Sequence, residues 1–120
     1  MSLPKPSQDV SSDDLKVLLQ QARKASELLK ALSHETRLLI VCILSEGEKS
    51  VSDLENILSM PQATVSQQLA RLRFDRLVSA RREGRMIYYS IADEQVSVLI
   101  DTLYELFCKP EHRKIIAERS

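Results

Sequence analysis

Between residues 62 and 91 the spacing of apolar side chains changes abruptly, and that change limits the folds open to the chain. Up to Phe74 the spacing is helical, with Val65, Leu69 and Leu72 on one face. From Leu77 onward the period falls to 2, which puts Ile87, Tyr89 and Ile91 on one face, and Glu83-Gly84 supplies a turn. The pattern predicts a helix over 62–74 followed at once by a two-stranded hairpin over 77–91. Only 4% of the chain is aromatic, Trp is absent and Gly occurs twice, so the remainder reads as helices and not as a β-sandwich.

The other segments agree. Residues 11–32 predict a long first helix, with Ser11 and Asp14 at capping-box spacing and acids in the first turn. Along it Leu15, Leu18, Ala22, Ala25, Leu29 and Leu32 recur at intervals of 3 and 4, a heptad seam of the kind that packs on a partner helix. Ser33 is placed to cap a second helix over 34–46, closed by Gly47 as a left-handed residue. Its run "LLIVCIL" is apolar on every side, so this helix belongs at the centre. A short third helix over 52–58 has Ser52 and Glu55 at capping-box spacing, and Pro61 separates it from the helix at 62–74. Asp93 opens a final apolar helix that Pro110 ends. The expected organisation is a tail over 1–10, one domain over 11–109 and a tail over 110–120.

Net charge is zero, but its distribution is uneven. Residues 1–60 hold 7 Lys+Arg against 9 Asp+Glu, and residues 86–120 hold 4 against 6. Residues 61–85 hold six arginines against Asp75 and Glu83, a local excess of +4. Arginine's forked donors suit phosphates and guanine edges. Two short helices, a tight turn and an Arg-rich hairpin predict a mostly α fold with a small β-hairpin, a winged helix-turn-helix. Its second helix would offer Gln62, Thr64, Ser66 and Gln67 to the major groove, with small Ala63 and Ala70 letting the backbone approach. Arg71, Arg81, Arg82 and Arg85 would meet phosphates of double-stranded operator DNA.

The stretches "LKALSHETRLLIVCIL", "SVSDLENIL" and "ATVSQQLARLRFDRLVSARREGRMIYYSI" resemble the ArsR family of dimeric winged-helix repressors over residues 12–108. That resemblance implies a homodimer whose first and last helices form the interface, with Leu15, Leu18, Ala22, Leu29, Leu99 and Leu103 in it. Metal-sensing members of the family carry a Cys-x-Cys at the start of the third helix, where this chain has Val51-Ser52-Asp53-Leu54. A second family metal frame, on the last helix, here reads Asp93, Gln95, Leu106 and Lys109, and Leu offers no ligand atom. No metal or other cofactor is therefore expected. His34 reads as a first-turn surface residue, and His112 lies outside both frames.

Cys42 and Cys108 match the cysteine pair of a thiol-based branch of the same family, which implies release of DNA when reactive sulfur species link the two positions. The alternatives are disulfide formation by general oxidants, or a metal at an unrecognised site. A thiol enzyme would need a Cys-x-x-Cys motif or a base paired with a Cys, and the sequence has neither histidine beside a cysteine. The first ten residues lack the apolar run of a signal peptide and no segment has about 18 consecutive apolar residues. The expectation is a soluble, cytoplasmic protein with free thiols.

Overall fold

A computed structural model describes residues 11–108, in the order α1 (Ser12–Leu32), α2 (Glu35–Leu44), β1 (Lys49–Ser50), α3 (Val51–Leu58), α4 (Gln62–Phe74), β2 (Val78–Glu83), β3 (Met86–Ile91) and α5 (Glu94–Phe107). Both expected tails, together with Lys109, Pro110 and His112, lie outside the described residues. The mostly helical winged helix-turn-helix is as expected.

Local chemistry explains most helix ends. Ser11 Oγ accepts the Asp14 amide at 3.1 Å, and Asp13 and Asp14 face the positive end of the α1 dipole. The second cap differs from expectation: Ser33 is the C-cap of α1, its hydroxyl donating to Lys30 O at 2.9 Å. His34 takes the N-cap role for α2, its Nδ1 accepting the Thr36 amide at 3.2 Å. Helix α2 stops at Leu44, and Gly47 follows with φ 148°, positive but more extended than a left-handed helical cap. In α3 the capping box is Ser50 with Asp53, not Ser52 with Glu55, because the helix is capped two residues earlier: both reciprocal bonds are 3.0 Å long. Those bonds hold the Asp53 carboxyl below its ordinary range.

The wing is larger than a hairpin. β1 joins β3 antiparallel, Lys49 opposite Tyr89 and Ser50 opposite Tyr88, giving the order β1-β3-β2. Pairing of Glu83 with Met86 moves the turn one residue on, to Gly84-Arg85, with Gly84 at φ 62°. A side chain is disfavoured there, which accounts for one of the two glycines.

The core gathers Ile40, Val41 and Leu44 of α2, Leu54 of α3, Val65, Leu69 and Leu72 of α4, Leu77, Val78, and Val96 and Ile100 of α5. Helix α1 joins this core near its C-terminal end, with Ala31 and Leu32 buried in it and Leu28 packed against it. Its preceding row is bare: Leu15 and Leu29 are 49% and 57% exposed, and Ala22 is exposed between them.

Candidate functional site

The α3–α4 turn depends on two unusual residues. Ser59 closes α3 in the left-handed conformation, φ 53°, and Pro61 opens α4, its carbonyl accepting the amides of Thr64 and Val65. Val65, Leu69 and Leu72 then bury completely, which turns the opposite face of α4 outward. Gln62, Ala63, Gln67, Ala70 and Arg71 are exposed and Thr64 and Ser66 half-buried, so the expected reading residues share one accessible surface.

A residue overlooked in the sequence fixes this helix. Arg37 of α2 donates from Nε to the Ala31 carbonyl at 2.7 Å and from Nη1 to Gln68 Oε1 at 3.1 Å. It ties the end of α1, the central helix and α4 together. An arginine directly before the wholly apolar run Leu38–Leu44 was the available signal.

The six arginines divide into two groups. Arg71 pairs with Asp75 one turn on, at 2.9 Å. Arg81 donates to both Glu48 oxygens, at 2.7 and 3.1 Å, and to Glu83 at 2.6 Å, and its guanidinium lies 4.8 Å from the Tyr88 ring centroid. These bonds hold the Glu48 carboxyl low and raise Arg81 further above its usual range. Arg82 donates to the Gly84 carbonyl at 3.2 Å, at the tip of the wing. Among the described residues Arg73, Arg76, Arg82 and Arg85 have no carboxylate partner. Arg85 lines a small recess of about 170 Å³ with Gln62 and Ser52, where the wing meets the starts of α3 and α4.

Cys42 and Cys108 are brought together. Both are free, half-buried thiols lining a groove of about 710 Å³ between α2 and α5. Leu38, Leu39, Ile43, Leu103, Tyr104 and Phe107 form most of its wall. Cys108 is the C-cap of α5, and its amide donates to Tyr104 O. Burial pushes the Cys42 thiol up, and the neighbouring Cys108 pushes it further. The expected interface residues of α5, Leu99 and Leu103, are half-buried against the protomer's own core, whereas Val98, Tyr104, Leu106 and Phe107 are the uncovered ones. No group of three or more His, Cys, Asp or Glu side chains suited to a metal occurs among the described residues. None of the described helices is long and apolar enough to cross a membrane.

A helix exposing short polar side chains, set beside an arginine-bearing wing on a helical core, defines a DNA-binding protein of the winged helix-turn-helix class. Comparison with known proteins narrows the class. The family described as "Bacterial regulatory protein, arsR family" matches residues 34–80. The biofilm growth-associated repressor of Agrobacterium fabrum is 41% identical over 103 residues, covering 86% of this chain and 88% of that protein. The solved transcriptional repressor BigR from Xylella fastidiosa superposes with a TM-score of 0.73 at 39% identity, covering 82% of this chain and 97% of that one. Reduced HlyU from Vibrio cholerae superposes with a TM-score of 0.74 at 38% identity, covering 77% and 97%. The chain belongs to the ArsR family and is a DNA-binding transcriptional regulator, not an enzyme.

Proposed function

We propose that the protein is a homodimeric repressor of a pseudo-palindromic operator, released when reactive sulfur species bridge Cys42 and Cys108. The observation that carries this reading is the shared groove: two thiols distant in sequence line one cavity between the central helix and α5. The repressor names of the Agrobacterium and Xylella relatives support the sign of regulation. The bare α1 row supports the dimer, as does a Cα radius of gyration of 17.7 Å, against about 13 Å for a compact chain of this size.

Gln62, Thr64, Ser66 and Gln67 read the major groove in this proposal, and Arg82 and Arg85 hold phosphates from the wing. Arg71 and Arg81 would have to exchange carboxylate partners for phosphate, so they contribute less. Gln67→Ala is expected to weaken specific binding by about 1–3 kcal/mol. Arg85→Ala should weaken specific and non-specific binding alike and reduce the salt slope by about 1. Anisotropy titrations against operator and random duplex at several salt concentrations check both. Unchanged operator affinity in Gln67→Ala would place base reading elsewhere.

The chemistry has two steps. Cys108, at the helix end, attacks a hydropersulfide, takes its outer sulfur and expels the parent thiolate. The Cys42 thiolate then attacks the inner sulfur on Cys108 and expels hydrosulfide, leaving a disulfide; longer sulfur chains on Cys108 leave a longer bridge. The bridge draws α2 toward α5, and the Arg37–Gln68 bond passes the displacement to α4. Two reading helices repositioned in the dimer no longer match both half-sites.

Because the closing step needs the Cys42 thiolate, and that thiol is held up by burial, bridging should keep accelerating above the ordinary thiol range of about 8.5. A quenched time course at stepped pH measures this, and a plateau at or below that range would contradict it. The function itself is tested by intact mass and operator binding after separate treatment of the reduced protein with a persulfide and with hydrogen peroxide. Persulfide alone bridging the thiols and releasing DNA is the expected result. Faster bridging by peroxide would favour a general oxidant sensor, and release without modification of either cysteine would refute the reading.

A further inference from the structure

Arg81 sits where the wing leaves the body of the domain. In the sheet register it stands opposite Tyr88 of β3, and Tyr88 stands opposite Ser50, the last residue that β1 supplies. Beyond that rung β2 and β3 have only each other as strand partners, and Arg82, Glu83, Arg85, Met86 and Ile87 are exposed. A two-stranded hairpin of this kind is marginal by itself. Alternation along β2 turns Arg81 and Arg82 to opposite faces of the sheet. On its own face Arg81 passes Tyr88, 4.8 Å from the ring centroid, and reaches Glu48 in the loop that joins α2 to β1. One side chain thus spans all three strands.

Its guanidinium is already committed. Nε and Nη2 grip both oxygens of Glu48 as a fork, at 3.1 and 2.7 Å, and Nη1 donates to Glu83 at 2.6 Å. Exposed ion pairs contribute little singly, but a bidentate arginine within a network is the exception. One guanidinium between two carboxylates also leaves the cluster net negative, which repels a phosphate. Resting on the reading of Arg82 and Arg85 as phosphate contacts, we propose that Arg81 is a positioning residue for DNA binding. With Glu48 it fixes the angle at which the hairpin leaves the body, and so holds Arg82 and Arg85 where the phosphate backbone passes. The hairpin then meets DNA in one arrangement, and association does not bear the cost of ordering it. Glu48 acquires a part in binding although its own charge opposes DNA.

The sign of the Glu48 effect tests this. Glu48→Ala in the reduced full-length protein removes a negative charge from a molecule that binds a polyanion, so charge alone predicts tighter binding. The clamp predicts the reverse, with operator affinity falling about three- to tenfold. Arg81→Ala should fall by a similar factor and keep the wild-type salt slope, whereas loss of a phosphate contact would lower that slope by about 1. Arg81→Lys should recover little, because an ammonium keeps the charge but not the fork. The double variant should bind no more weakly than Arg81→Ala, since both changes remove the same bonds. In the free protein, hydrogen exchange at the Gly84 and Arg85 amides should quicken several-fold in Arg81→Ala, with α4 unchanged. The Arg81 and Glu48 side chains are 51% and 36% exposed, so none of these changes opens the core. Tighter operator binding by Glu48→Ala, or a lowered slope in Arg81→Ala that Arg81→Lys restores, would overturn the clamp and make Arg81 a phosphate contact. If instead Arg82→Ala and Arg85→Ala leave affinity and slope unmoved, the wing does not hold DNA and the reading beneath the proposal fails.

Discussion

Cys108→Ser is expected to bind operator as tightly as the reduced wild type and to keep its grip when persulfide is added. Neither cysteine lies on the exposed face of α4 or on the wing, so the serine leaves the DNA-reading surface unchanged. A bridge needs both sulfurs, and Ser has no counterpart to thiolate–persulfide exchange at neutral pH. The wild type should release DNA completely under the same treatment, which makes the contrast the largest expected from one atom. Cys42→Ser should behave in the same way, and the double variant should match either single one, because removing one end already removes the bridge. The two single variants differ in what they retain. Cys42→Ser keeps Cys108 and should accumulate a persulfide there, visible by mass, without releasing DNA. Full dissociation of Cys108→Ser by persulfide would move the sensing chemistry to Cys42 alone or away from both residues.

Leu29→Glu should convert the protein to monomer and weaken operator binding by about 10²–10⁴-fold, the loss that follows when two half-sites are no longer engaged by one linked pair. Leu29 is chosen because it shares the Leu15–Ala22 row, which is left exposed by the described residues of its own protomer. A carboxylate there costs the isolated chain little, but at a helix–helix interface it would be buried without a partner. Leu18, half-buried within the protomer, would confuse the two effects. Sedimentation at micromolar concentration with circular dichroism separates dissociation from unfolding. A folded Leu29→Glu dimer with normal operator affinity would place the interface elsewhere.

Features set by neighbouring residues were readable in the chain. The limits of α4 at Gln62 and Phe74, the Ser11 cap and the paired strands of the wing follow from side-chain period, capping and a single turn glycine, all within a few residues. The basic window was also visible, as a local count. Where sequence offered two local choices the fold made the selection: β1 pairing starts α3 early, so Ser50 and Asp53 form the capping box instead of Ser52 and Glu55. A strand as short as Lys49–Ser50 has no period to detect, and only β3 beside it makes it a strand. The same holds for charges: Arg81 reads as a free phosphate ligand until Glu48, distant in the chain, closes on it. The heptad row of α1 was legible, but which rung turns inward was not, since the packing of Leu28, Ala31 and Leu32 on the core is what leaves Leu15 and Leu29 bare. Tertiary structure alone put Cys42 and Cys108 on one groove and lined it with apolar side chains and two carboxylates, because the approach of α2 to α5 depends on the whole core between them.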